Sequence, residues 1–333
     1  MSIKQIVKNT IKFPLEVCAA HFGHHRRSNK SPRLWIMMYH RILPPSDARH
    51  AQEEPGMIVE PETFEMHLKL LQNEFTLVSL QDWVNRHINC QPLPEKACAI
   101  TFDDGWLDNF EYAFPILSKL NIPATLFAVS NMIGTHQEFW PNRLVRLLQL
   151  PQRQREIFPW LSELANDAPV NSETSASAIY SLKKYADNQI IEWLDEAESR
   201  LQLPTPSLPA LMNWQQLRQI SDDPLFDIGS HTCHHIRLRS DLDADIRYQE
   251  ITASKNLLES KLEKPVNLFC YPNGDSCPEA VKEVAKHYQA AVTTQPGINF
   301  ANKVQSHSLL RYGVHQDISN HPRRLLARIS DWP

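Results

Sequence analysis

Two aspartates stand side by side in Thr101-Phe102-Asp103-Asp104-Gly105, and two histidines stand four apart in His231-Thr232-Cys233-His234-His235. A spacing of four places both imidazoles on one face of a helical turn. Two imidazoles and one carboxylate, with coordination positions left to water, are the makings of a hydrolytic metal site. Asp104, His231 and His235 are the expected ligands, which leaves Asp103 as the base. One oxygen and two nitrogens suit Zn²⁺ best, and Co²⁺ or Ni²⁺ are chemically acceptable substitutes. Either motif alone is weak, because helices place histidines four apart by chance and Asp-Asp-Gly is an ordinary acidic turn. His234 lies about 100° round a helical turn from His235 and is expected outside the ligand set.

These groups need strands to carry them. Ala97-Cys98-Ala99-Ile100 reads as a buried strand that delivers the Asp pair at its end, and Leu225–Gly229 delivers the histidines. Leu34–Tyr39, Pro123–Val129, Val266–Cys270, 289–294 and a strand around 308–314 read the same way, alternating with amphipathic helices. That alternation predicts an α/β fold with a parallel sheet or barrel. His40, Asp103/Asp104, His231/His235, Tyr271-Pro272 and His315 each fall just after a strand, and a parallel barrel gathers such positions on one face. The alternation breaks over 138–210, where helical patterns (139–150, 155–166, 177–202) occur without a strand, with a Ser/Thr-rich loop at 166–178. This stretch is expected to be a helical insertion in a barrel domain spanning 34–333.

The chain has 333 residues, 42% hydrophobic and 22% charged, with a net charge of −4, so nothing points to a nucleic-acid partner. No apolar run reaches the roughly 20 residues of a membrane span. Phe13–Val17 is short and carries Glu16, unlike a signal-peptide core, so a cytoplasmic location is expected. Residues 1–33 form a basic segment with seven Lys/Arg against one acid. This segment is either an ordinary solvated helix or one that touches an anionic membrane surface peripherally. Cys98 and Cys270 lie in apolar runs and read as buried thiols.

Together the motifs resemble the NodB-type polysaccharide deacetylases, carbohydrate esterase family 4. Thr101–Gly105 matches the first signature of that family, and His231–His235 its second, His-Ser/Thr-x-x-His. Phe269-Cys270-Tyr271-Pro272-Asn273-Gly274 is similar to the third, and Tyr39-His40-Arg41 to a first-strand motif of a bacterial branch. The resemblance implies a distorted (β/α) barrel of about seven strands and metal-dependent removal of N- or O-acetyl groups from a carbohydrate substrate. It implies Asp103 as general base, Asp104, His231 and His235 as metal ligands, and Thr232 as a hydrogen-bonding support. It also implies that Tyr39, His40, Tyr271, Pro272, Asn273 and Gly274 line the sugar groove, with the Asn273 N–H facing the oxyanion.

The chain departs from the family pattern in places. Cys270 stands near the position where many members carry an arginine that orients the base, and Arg311 on a late strand is the candidate replacement. The fourth signature, Asp-x-x-Asp-Trp, is absent. Tyr312-Gly313-Val314-His315 loosely matches the motif of the general acid, which makes His315 the first candidate, with His40 and His307 as alternatives. Trp140 and Trp214 are candidates for stacking on sugar rings. Two other functions stay open: deformylation of a lipid-linked formamido sugar, and a non-catalytic sugar-binding or scaffold role in polysaccharide synthesis.

Overall fold

The computed structural model describes residues 3–54, 56–165, 171–206 and 208–331, with the backbone alone for 3–12, 51, 52 and 172. Lys4, Lys8 and Lys12 of the basic segment, and 166–170 of the expected loop, therefore fall outside the described side chains. Six strands lie side by side in parallel: β1 (Arg33–Tyr39), β2 (Lys96–Phe102), β3 (Ala124–Ala128), β4 (Phe226–Ser230), β5 (Leu268–Cys270) and β6 (Ala290–Val292). A seventh, β7 (Tyr312–Gly313), pairs in parallel with β1, while Leu309 just before it bridges Val292 of β6. The last segment thus joins the two edges and curls the sheet into an irregular barrel. The strand expected over 308–314 shrinks to β7 and that one bridge. A short strand, Asn299–Phe300, adds antiparallel to the start of β1.

Strand parity divides the apolar residues between two cores, as a strand's alternate side chains must. Leu34 and Ile36 of β1, Ala97 and Ala99 of β2, Phe127, Leu268, Cys270, Ala290 and Val292 meet inside the curl. Trp35, Met37 and Tyr39, Cys98, Ile100 and Phe102, and Phe269 and Tyr271 face outward under the surrounding helices. Both sets are apolar because a parallel sheet is covered on both faces.

The insertion builds a core of its own around Leu144, Leu147, Leu161, Ile179, Ile190 and Leu194. Its helices are Trp140–Leu148, Gln152–Arg155, Pro159–Ala165, Ser172–Leu182 and Asp187–Arg200. The loop expected at 166–178 is helical from Ser172. Asn171 caps that helix by accepting from the Glu173 and Thr174 N–H groups, and the Thr174 hydroxyl donates to the Asn171 carbonyl as well as accepting from its N–H. Ala178, Ile179 and Leu182 then bury one face of it. The N-terminal helix Ile3–Phe22 packs on the last helix, Pro322–Arg328, where the Arg323 guanidinium lies 4.2 Å from the Phe13 ring. Among the described residues no helix is long and apolar enough to cross a membrane.

Candidate active site

β2 ends at Phe102, and the chain then turns sharply. Asp104 takes φ 79° and Gly105 φ 92°, a left-handed conformation that costs a non-glycine residue on the order of 1–3 kcal/mol. The turn lets consecutive aspartates enter one pocket instead of pointing to opposite faces. After β4, Thr232 (φ 66°) and His235 (φ 60°) adopt the same conformation. A β-branched residue seldom tolerates it, so this loop too is held under strain.

Glu250, 4% exposed on the helix Ala244–Leu262, holds the loop. One of its oxygens accepts from the Cys233 and His234 N–H groups at 2.9 and 3.0 Å, and the other lies 2.6 Å from His234 Nδ1. His234 is thereby tied back, away from the ligands. The Thr232 hydroxyl is buried and has no partner among the described residues; the support at this position comes from its carbonyl, which accepts from the Ser130 N–H and the Ser254 hydroxyl.

Donor atoms of Asp104, His231 and His235 lie within 4.8 Å of one another. Asp104 Oδ1 is 3.4 Å from Nε2 of both histidines. His231 Nδ1 lies 2.8 Å from the Cys270 carbonyl, which can only accept. Nδ1 therefore carries the hydrogen, and the Nε2 lone pair is left for a cation. The Trp106 indole N–H donates to Asp104 Oδ2 at 2.7 Å, and Arg41 lies over that indole at 4.2 Å. Burial lowers His235 to about 4, so at neutral pH its imidazole is uncharged. Burial pushes the Asp104 carboxyl up, but the two histidines outweigh it and hold it well below the usual carboxylate range.

The three residues fit a divalent cation. Two overlapping or neighbouring donor groups do not. Asp103, His231 and Cys270 also converge, but both Asp103 oxygens and the Cys270 sulfur already face the Arg311 guanidinium. Cys233, His234 and Glu250 converge as well, but the carboxylate of Glu250 is spent on the loop.

Asp103 is gripped by Arg311, which enters from the residue just before β7. Arg311 NH1 and NH2 donate to the two carboxylate oxygens at 2.7 Å each. Arg311 is itself fixed by donating to the Thr293 carbonyl, the Thr101 hydroxyl and the Cys270 sulfur. Burial raises the Asp103 carboxyl, and the Arg311 charge and hydrogen bonds more than reverse this, so its pKa lies below the usual value.

A cavity of about 250 Å³ opens onto both aspartates, His231 and His235. His40, Trp140, Lys183, Asn273 and Thr294 also line it. The register pairs Tyr39 with Phe102, so one residue further on His40 comes beside Asp103, with Nε2 3.8 Å from Oδ2.

Other residues expected in the groove are elsewhere. Tyr39 points outward by strand parity; it stacks on Phe102, and its hydroxyl lies 3.1 Å from His67 Nδ1. Tyr271 has the same parity, is fully buried, and donates to the His307 carbonyl. Pro272 is buried beneath the turn, and Gly274 is pressed against Thr294, where a Cβ would meet Oγ1 at 2.0 Å. Of the turn, only Asn273 (φ 56°) reaches the cavity, and its Oδ1 accepts from Lys183 of the insertion. His315 is not among the cavity residues. It packs by Gly56, with Nδ1 3.5 Å from Asp317, and burial lowers its pKa. Trp214 packs against the main core, outside the cavity. The roles of Trp106, Glu250 and Lys183 carry no sequence signature of their own; each depends on contacts between distant segments.

Comparison with known proteins gives the family and the fold. Residues 91–292 match the family model described as polysaccharide deacetylase. YxkH of Bacillus subtilis strain 168, assigned by name to the polysaccharide deacetylases, is 23% identical over 81% of this chain and 68% of its own length. The poly-beta-1,6-N-acetyl-D-glucosamine N-deacetylase of Escherichia coli K12 is 24% identical over 71% of this chain, which spans only 31% of that protein. The fold is that of the Streptococcus pyogenes deacetylase PplD (TM-score 0.58, 19% identity, 90% of this chain and 99% of that one). It is also that of IcaB from Ammonifex degensii (TM-score 0.56, 18% identity, 89% and 97%).

Proposed function

The chain belongs to the polysaccharide deacetylase family, and from that premise we propose that it hydrolyses the amide of an N-acetylated sugar within a glycan, with Zn²⁺ as its metal. The observation that carries the proposal is the convergence of the Asp104–His231–His235 donor set and the clamped Asp103 on one cavity. When bound, the cation supplies Lewis acidity, which acidifies water and polarises a carbonyl. Asp104, His231 and His235 hold it, with Trp106 and the Cys270 carbonyl fixing the orientation of two of the three ligands. Asp103 takes the proton of the attacking water. The Arg311 fork keeps that carboxylate ionised and limits its rotation, so its free lone pairs stay aimed at the cavity.

His40 then gives a proton to the departing amine nitrogen. It faces the cavity beside Asp103, whereas His315 does not line it, and this geometry favours His40 over the first candidate read from sequence. The Asn273 N–H, in its left-handed turn, donates to the developing oxyanion. Exposed Phe13, Leu15 and Phe22 on the basic N-terminal helix support a peripheral contact with an anionic membrane.

Purified full chain, incubated with N-acetylated and N-formylated glucosamine oligomers, tests the proposal. Acetate release that stops with a chelator, returns with Zn²⁺ and is lost in Asp103→Asn is the expected result. Formate release without acetate would replace it with the deformylase alternative. Neither product in any metal would leave a non-catalytic binding role.

A further inference from the structure

Two of the three metal ligands are oriented by a hydrogen bond from outside the set: the Trp106 indole holds Asp104, and the Cys270 carbonyl holds His231. The third is different. His235 meets Asp104 through Nε2 and the rings of Phe139 and His231, and among the described residues nothing accepts a hydrogen bond from its Nδ1. Its backbone is nevertheless held in a left-handed turn, with φ 60°. The position of this imidazole therefore depends on how the chain is fastened to either side of it and on what packs against the ring.

On the near side the fastener belongs to the barrel, since Glu250 takes the Cys233 and His234 N–H groups. On the far side it belongs to the insertion. Arg237, two residues on and 4% exposed, donates its backbone N–H to Asp187 Oδ2 at 2.7 Å and its Nε–H to Asp187 Oδ1 at 2.8 Å. Its NH1 and NH2 donate to the Lys183 and Tyr185 carbonyls at 2.7 and 2.6 Å. Backbone and side chain of one residue are thus both turned to the stretch 183–187.

That stretch is itself anchored. The Tyr185 ring packs edge-on against Trp193 at 4.9 Å, and Trp193 stacks on Trp160 at 5.8 Å, so the receiving carbonyls are tied to the insertion's own core. Phe139, just before the insertion's first helix, sets its ring 4.9 Å from that of His235. A buried ion pair is a poor source of stability, because desolvation offsets its Coulombic gain; its better-attested use is to select one arrangement. Here the arrangement is the seat of His235.

We propose that the insertion is the support of the third metal ligand, with Asp187 and Arg237 as positioning residues that act through His235. The proposal rests on the metal-site reading of Asp104, His231 and His235. It gives the insertion a task that involves no substrate.

Metal binding by the full chain tests it, read as the Kd for Zn²⁺ in competition with a chromophoric chelator and as the visible spectrum of the Co²⁺-loaded protein, which follows coordination geometry. Asp187→Ala is expected to raise the Kd about 10–100-fold, as loss of a support around a metal does, and to change the Co²⁺ bands. Asp187→Asn keeps an acceptor for one of the two Arg237 donors and is expected to raise it about fivefold, the worth of one hydrogen bond; it also serves if the alanine variant does not fold. Asp195→Ala, which breaks the 2.6 Å pair with Arg143 inside the insertion but leaves the clasp, is expected to leave the Kd unchanged. In a His235→Ala background, Asp187→Ala is expected to add less than about twofold, because the two changes are coupled.

Equal Zn²⁺ affinity in the unaltered chain and either Asp187 variant overturns the support. So does a loss of the same size with His235 absent, which would assign the effect to a general loosening. Failure of the unaltered chain to bind Zn²⁺ or Co²⁺ overturns the metal reading and the support with it. The expected metal pattern with no acylated sugar hydrolysed keeps the support and overturns the deacylase reading alone.

Discussion

Arg311 and Asp103, 208 residues apart in the chain, meet in a bidentate pair with both N–O distances at 2.7 Å. The pair spans the closure of the barrel, since Asp103 follows β2 and Arg311 lies between the Leu309 bridge and β7. It explains how a buried carboxylate remains charged. A lone ion there would be too costly to keep, and its pKa would rise instead.

Replacing Arg311 therefore acts on the base through its protonation. Arg311→Met is expected to lower kcat/KM roughly 10²-fold or more, as loss of a working base does, and to shift the acid limb of the pH–rate profile upward. In the unaltered protein that limb is set below the usual carboxylate range as far as Asp103 is concerned, because Arg311 depresses it. Arg311→Lys keeps a charge but loses the fork and is expected to fall between the two. Profiles of all three proteins over pH 4–9 check this. An unmoved acid limb in Arg311→Met refutes the clamp.

Glu250 positions the ligand loop without touching the ligands. Its carboxylate takes two backbone N–H groups between His231 and His235, in a stretch with two left-handed residues. Glu250→Ala leaves those donors buried and unpaired, at about 1–3 kcal/mol, and frees the strained turn. The expected outcome is a 10–100-fold rise in the Kd for Zn²⁺, the range typical of lost supporting contacts around a metal, while sugar binding to the metal-free protein is unchanged. Competition with a chromophoric chelator measures the first and calorimetry the second. Equal metal affinity in both proteins rules out the positioning role.

Much of this architecture is legible in the chain itself, for reasons that differ residue by residue. The strand ends carrying Asp103, Asp104, His231 and His235 stand out because apolar runs stop abruptly at polar pairs. Arg311 is visible as a charge on an otherwise apolar late strand, though only the family resemblance, and nothing in the residues themselves, points it at Asp103. Tyr39 and Tyr271 mislead because both faces of a parallel strand are apolar, so the sequence holds no alternation to show which way a terminal tyrosine turns. His315 and His40 differ in another way: a loose motif match says nothing about whether a ring reaches the cavity, and the strand register that brings His40 beside Asp103 is a tertiary property. The helix at Ser172 is hidden because Ser, Thr and Asn favour loops until a reciprocal cap and a buried face overrule them.

His40 and His315 are separated by the leaving group. An amide expels a poor leaving group and needs a proton donor; an activated aryl ester does not. His40→Ala is expected to lose roughly 10²-fold or more in kcat on an N-acetylated oligomer but little on 4-nitrophenyl acetate. His315→Ala is expected to stay within a few-fold on both, since its ring lies outside the cavity. The reverse pattern on the amide substrate would restore His315 as the acid.

Acid stability offers a readout away from the metal. His67 is buried between the Tyr39 hydroxyl, 3.1 Å from Nδ1, and the Ser319 carbonyl, 2.6 Å from Nε2. Burial lowers its pKa from 6.5 to about 4. Because the folded value is the lower one, the unfolded chain takes up a proton first as pH falls. The stabilisation from keeping His67 neutral is complete above about pH 6.5 and is lost progressively down to about pH 4, with a full value of about 3 kcal/mol. His67→Gln keeps one acceptor and one donor but cannot titrate. Urea midpoints at pH 7, 5.5 and 4.5 are expected to fall more steeply in the unaltered protein than in the variant. His25, also lowered to about 4 by burial, contributes equally to both and cancels in the comparison. Parallel declines would mean that His67 is not what couples this fold to acid.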